Sequence, residues 1–155
     1  MITDGEIILR VFASLLVGVI IGFERSRNQK PAGIRTYSLV CIGSTLFMIV
    51  SVYGFPMFQG VKTMDPARIA AQVVTGIGFL GAGVIWKDRG YVRGLTTAAN
   101  LWIAAGLGLA IGVGMYFLTL VTVIAIFIAL NTTPLLVKLK LLDYPEAGDR
   151  TPKEM

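Results

Sequence analysis

From Ile69 to Trp86 the chain runs apolar, with only Gln72 and Thr75 as polar interruptions. As a helix, at ~1.5 Å per residue, this run is roughly 27 Å long, about the depth of a bilayer's hydrocarbon. Asp65 supplies a carboxylate to cap free amides, and Pro66 a first-turn residue whose missing N–H costs nothing, so the helix is expected to begin there. The basic stretch Lys87–Gly94 follows, and Leu95-Thr96-Thr97 opens a second apolar helix. The pair reads as a membrane hairpin around which the rest is organised.

Five apolar stretches are present in all: about Glu6–Phe23, Thr36–Phe55, Ile69–Trp86, Leu95–Ile111 and Met115–Val137. The last two are separated only by Gly112-Val113-Gly114, a tight turn. The fold expected is therefore all-α: a polytopic bundle of about five transmembrane helices over residues 1–140. A short polar tail, 141–155, is expected to be disordered and is too small to form a domain. Only 15% of residues are charged, against roughly a quarter in a soluble domain. The net charge of +5 would suit a nucleic-acid binder, but the basic residues sit between apolar runs, so no nucleic-acid partner is expected. The one cysteine, Cys41, lies inside a span, so no internal disulfide forms. The N-terminus is acidic before its apolar run, opposite to a secretory signal, and the first span is expected to stay.

Lysine and arginine set the expected orientation. Arg25, Arg27, Lys30 and Arg35 follow the first span, Lys87, Arg89 and Arg93 the third, and Lys138, Lys140, Arg150 and Lys153 the fifth. The opposite side holds Arg10, Lys62 and Arg68. The first and third loops and the C-terminus are thus expected in the cytoplasm, with the N-terminus outside.

Glycines stud the spans: Gly18 and Gly22 in the first, Gly76, Gly78, Gly81 and Gly83 in the third, Gly108 and Gly112 in the fourth with Ala104 one turn earlier. In lipid, helices associate largely by close packing across small residues, so these stripes predict a tight bundle, a homo-oligomer (a dimer favoured), or both. Gly76-Ile77-Gly78-Phe79-Leu80-Gly81 also spells a dinucleotide fingerprint, which is rejected because it lies inside one apolar run with no strand before it. Among polar side chains inside spans, Arg10 is expected to pair with Glu6 one turn earlier. Gln72 and Asn100 are expected to hydrogen-bond across the bundle, and Thr75, Thr97, Cys41 and Asn131 complete the set.

The second and fourth spans would both start at the inner face, each behind a glycine, an arginine and threonine: Gly33-Ile34-Arg35-Thr36, and Arg93-Gly94-Leu95-Thr96-Thr97. Helix N-termini with adjacent arginines suit an anion, either a lipid phosphate or a carboxylate. Glu24, closing the first span, is the internal candidate, expected to pair with Arg35 or Arg93 and lock the loops. Arg25 stands beside it among the candidates, although Arg25, Arg27 and Lys30 read by themselves as headgroup anchors.

The segments Ile21–Arg25, Lys30–Tyr37, Asp65–Trp86 and Val92–Trp102 resemble the MgtC/SapB family of bacterial inner-membrane proteins. That resemblance covers about Leu15 to Tyr116. It implies a multi-pass protein of the plasma membrane linked to growth at low magnesium and, in pathogens, to survival inside host cells. Family members are thought to act on other membrane machines, notably the F-type ATP synthase. Where the family often carries histidine after its Arg-Thr pair this chain has Tyr37, so histidine-based pH sensing or metal binding is not expected. Longer members add a soluble C-terminal domain, and this chain reads as a short form without it.

No enzyme is expected: there is no histidine, the cysteine is within a span, and no carboxylate pair sits at catalytic spacing. No cofactor and no metal site is expected either. A small cation transporter is the alternative, but magnesium wants several oxygen ligands and the spans lack a carboxylate cluster. A regulator that binds another membrane protein complex fits the residues better.

Overall fold

The computed structural model describes residues 2–55, 65, 67–88 and 91–141. The expectations for Lys62, for Pro66, for Arg89 and Gly90, and for the tail beyond Leu141 lie outside the described residues. Five helices follow in order: α1 (Asp4–Arg27), α2 (Ile34–Tyr53), α3 (Ala67–Gly83), α4 (Leu95–Gly112) and α5 (Tyr116–Lys138). By length and composition α1, α2, α4 and α5 can each cross a membrane, and α3 is a shorter apolar helix of 17 residues. The chain divides near residue 120, so that α1 to α4 fall in one compact unit and most of α5 in a second.

Local chemistry sets the helix ends. Thr3 and Glu6 form a reciprocal capping box that starts α1: the Glu6 amide donates to Thr3 Oγ1, and the Thr3 amide to Glu6 Oε2 (3.0 Å). α1 ends in a Schellman turn, with Gln29 at φ 52° and the Lys30 amide donating to the Arg25 carbonyl. The same turn ends α4, where Gly114 takes φ 84° and the Met115 amide donates to Ala110. The glycine break expected between the last two spans is therefore a left-handed helix cap. Asp65 Oδ1 accepts from the Ala67 amide (2.8 Å), so α3 begins on the carboxylate cap read from sequence.

α3 stops at Gly83 rather than Trp86, and the basic stretch is not a plain loop. β1 (Trp86–Asp88) and β2 (Tyr91–Arg93) form an antiparallel hairpin in which Trp86 pairs with Arg93. Gly94 closes it at φ 90°, and a Cβ there would run into the Val84 carbonyl. Only glycine satisfies both that backbone and that contact.

The core is the packing of α2 between α1 and α4. Along α1 the buried residues are Arg10, Ser14, Gly18, Ile21, Gly22 and Arg25, one stripe at helical spacing. Gly18 and Gly22 bring α1's backbone onto α2: a Cβ on either would lie 2.5 Å from the Cα of Ser38 or Ile34. Along the α2–α4 seam, Gly112 meets Met48 Cβ and Gly108 meets the Cys41 carbonyl in the same way. Three side chains of α2 donate to α4 carbonyls across this seam. Tyr37 reaches Thr97 (3.5 Å), Cys41 reaches Ala104 (3.4 Å) and Thr45 reaches Gly108 (2.8 Å). Partners rise together along both helices, so α2 and α4 run parallel and α1 antiparallel to them. Each such bond in a membrane bundle is worth about 0.6 kcal/mol, so the glycine contacts dominate the seam.

Arg10 does not pair with Glu6. Glu6 turns back to cap α1, and Arg10 turns inward, where Nη1 donates to the Gly112 carbonyl (2.7 Å) and to Tyr53 Oη (3.2 Å). Its guanidinium also stacks over the Tyr53 ring at 5.3 Å. A cation at the C-terminus of α4 meets the unpaired carbonyls and the negative end of the helix dipole, which outweighs an exposed i,i+4 pair.

α5 is largely exposed along its length. Three of its polar side chains bond to carbonyls one turn earlier: Thr119 donates to Met115 (3.0 Å), Asn131 to Phe127 (2.7 Å) and Thr132 to Ile128 (2.7 Å). Pro134 sits inside it and leaves the Leu130 carbonyl without its usual donor.

Candidate functional site

The richest polar cluster lies where α1 ends and α2 and α4 begin. Gly22 lets the chain turn tightly enough for Ser26 to reach α2, and Ser26 Oγ accepts from the Ile34 amide (3.1 Å), capping the helix that Gly33 opens without a side chain. Beneath this turn Tyr37 is fully buried and ties α2 to the first turn of α4 at Thr97, itself buried. One turn further, Asn100 is buried with Nδ2 lacking a hydrogen-bond partner.

Glu24 Oε2 lies 3.2 Å from Arg25 Nε, and Asn28 Nδ2 donates to Glu24 Oε1 (2.6 Å). The expected pairing of Glu24 with Arg35 or Arg93 is not made. Glu24 is taken by its neighbours on the same helix, and neither Arg35 nor Arg93 has an ion pair among the described residues. Arg25 is also not a headgroup anchor. It is 4% exposed, and Nε and Nη1 are buried without hydrogen-bond partners. Consecutive residues on a helix do not face one another, so the Glu24 contact compensates the charge without satisfying the guanidinium's donors. Tyr37 lies within electrostatic reach of both charges.

The structure thus gathers Gly22, Glu24, Arg25, Gly33 and Thr97 at one end of the bundle, and separates others from them. Arg35 and Thr36 are exposed on the side of α2 facing α3. Arg93 is exposed on β2, Thr96 is exposed on the first turn of α4, and Gly94 closes the hairpin. On α3, Arg68 and Gln72 are exposed, and Thr75 Oγ1 donates to its own helix at Ala71 (3.1 Å). The expected hydrogen bond between Gln72 and Asn100 is absent, because Gln72 opens onto a cleft while Asn100 is buried. Gly81 makes ordinary contact with Ala98, whereas Gly76, Gly78 and Gly83 have nothing against them. Gly76–Gly81 lies wholly within α3, so no phosphate-binding turn exists there.

Sequence reasoning missed Ser26, Ser38 and Thr45, and did not join Thr45 with Tyr37 and Cys41 as one face of α2. Their four-residue spacing was the available signal, masked because hydroxyls and thiols count as tolerable inside apolar spans.

Between α2 and α3 lies a cleft of about 580 Å³, lined by Leu39, Val40, Phe47, Val73, Ile77 and Leu80, with Arg35 and Thr36 at one end and Ser44 and Gln72 along it. Among the described residues, no three metal-ligating side chains come together.

Comparison with known proteins gives a consistent result. The profile of the MgtC family matches residues 11–139. The chain is 48% identical over 114 residues to the "Putative magnesium transporter YhiD" of Escherichia coli (strain K12), covering 72% of this chain and 53% of that protein. It is 40% identical over 139 residues to SapB of Bacillus subtilis (strain 168), covering 87% of this chain and 60% of the relative. It is 45% identical over 122 residues to MgtC of Salmonella typhimurium (strain LT2), covering 79% and 50%. The chain matches about half to three fifths of the length of these relatives. No solved structure matches it.

Proposed function

The chain belongs to the MgtC family, and from that premise we propose that it is a non-enzymatic protein of the bacterial inner membrane that regulates other membrane proteins. The machines it acts on are of the kind the family resemblance implies, F-type ATP synthase or ion transporters, in adaptation to low magnesium or stress. The polar end formed by Glu24, Arg25, Tyr37 and Thr97 faces the cytoplasm in this reading, which the excess of arginine and lysine on that side supports.

The observation that carries the proposal is on α3. Only Ile77 and Gly81 of this helix are buried. Ala71, Thr75, Gly78 and Ala82 recur at steps of four, three and four and are all exposed, which makes one smooth helical face. Elsewhere in the bundle such faces carry the packing. In lipid a small-residue face gains its energy only by contact with another helix, so this one is poised for a second copy or a partner protein.

The second reading, cation transport, is favoured by the name of the Escherichia coli relative. Purified protein in liposomes separates the two. Regulation predicts no flux of Mg²⁺, K⁺ or H⁺ above empty vesicles and capture of a larger membrane complex on crosslinking in cells. Flux from the isolated protein without a captured partner reverses the ranking.

A further inference from the structure

We propose that the cleft between α2 and α3 is a binding site for one anionic phospholipid, with an acyl chain along the groove and its phosphate on Arg35. The proposal shares the membrane reading of the helices but does not use the outer face of α3, so the two fail separately.

The walls are hydrocarbon: Leu39, Val40 and Phe47 from α2, Val73, Ile77 and Leu80 from α3. The floor is kept open by Gly43 and Gly76, neither of which has any atom within 4 Å of where a Cβ would stand. A groove of about 580 Å³ between lipid-facing helices is filled by whatever apolar chain the bilayer offers, since an empty one forfeits contacts on both walls. The polar end selects the head. Arg35 has no ion pair among the described residues, because Glu24 is held by Arg25 and Asn28. The amides of Arg35 and Thr36 stand in the first turn of α2, where no intrahelical acceptor exists, and Ser26 caps only Ile34. A guanidinium fork beside two open amides at a positive helix end matches a phosphodiester. One end cationic and the rest mostly apolar, with only the neutral Ser44 and Gln72 along it, suits an anionic phospholipid and not a zwitterionic one, whose ammonium would meet Arg35.

Native mass spectrometry of the full chain, released from nanodiscs of equimolar phosphatidylglycerol and phosphatidylcholine, reads the occupant. Wild-type protein is expected to retain one phosphatidylglycerol with about tenfold preference, as one charge-assisted hydrogen bond supplies. Arg35→Gln keeps a bound lipid and loses the preference. Gly43→Leu, which points into open space, loses the lipid. Equal retention of both lipids by wild type, an unchanged preference in Arg35→Gln, or an undiminished lipid on Gly43→Leu overturns the proposal. A lipid-free dimer overturns it in favour of a second copy in the groove. Should either variant fail to fold, spin-labelled lipids on wild type decide. A motionally restricted population larger for phosphatidylglycerol than for phosphatidylcholine supports the site, and equal populations refute it.

Discussion

The α2–α4 seam and helix α3 use the same residue for opposite ends. At the seam, Gly108 and Gly112 sit under the Cys41 carbonyl and Met48, and no added atom fits. On α3, Gly76, Gly78 and Gly83 face open space. Sequence shows both as glycine-rich apolar helices, and only the fold distinguishes a face already closed from one still available. A membrane protein whose glycines were all for its own packing would have no such second set.

The sharpest way to break this contrast is at Gly108. Gly108→Leu forces α2 and α4 apart and is expected to cost about 3 kcal/mol or more, read as loss of a cooperative thermal transition in detergent. Gly94→Ala comes next, at about 2 kcal/mol, because an alanine meets both the left-handed backbone and the Val84 carbonyl. Arg10→Ala leaves the Gly112 carbonyl and Tyr53 hydroxyl without their donor and is expected to cost about 2 kcal/mol. Thr45→Val removes a single bond to Gly108 and lowers stability by only about 0.6 kcal/mol. Gly78→Ala, on the open face, is expected to leave thermal stability unchanged or raise it by up to about 1 kcal/mol through helix propensity. Equal losses at Gly78 and Gly108 would erase the distinction.

Helix number, the turn at Gly112–Gly114 and the Asp65 cap were legible because each follows from hydropathy and local backbone chemistry. The hairpin Trp86–Arg93 was not, since its lysine and arginines read as a loop and its two strands are three residues each. The polar pairings failed because groups with no special signal in the sequence lay closer in the fold. Sequence proposes partners by proximity along the chain or by charge, as with Glu6 for Arg10 and Glu24 for Arg35. In the folded bundle Glu24 went to Arg25 and Asn28 on its own helix, and elsewhere the claimants were backbone groups: the Gly112 carbonyl took Arg10, and the α4 carbonyls took Tyr37, Cys41 and Thr45. Backbone acceptors at helix ends and across close-packed glycines have no letter in the sequence. Arg25 illustrates the cost of that blindness, looking like one more basic anchor until its burial is seen.

Site-directed crosslinking in intact cells tests the central claim most directly, because Cys41 is buried and leaves single introduced cysteines as the reactive positions. Gly78→Cys and Ala82→Cys on the outer face of α3 are expected to give discrete adducts, with a second copy or with another membrane protein. Leu16→Cys, equally exposed to lipid on α1, is expected to give none. Adducts of the same kind and yield from all three positions, or from Leu16→Cys alone, would contradict the assignment of α3 as the working face.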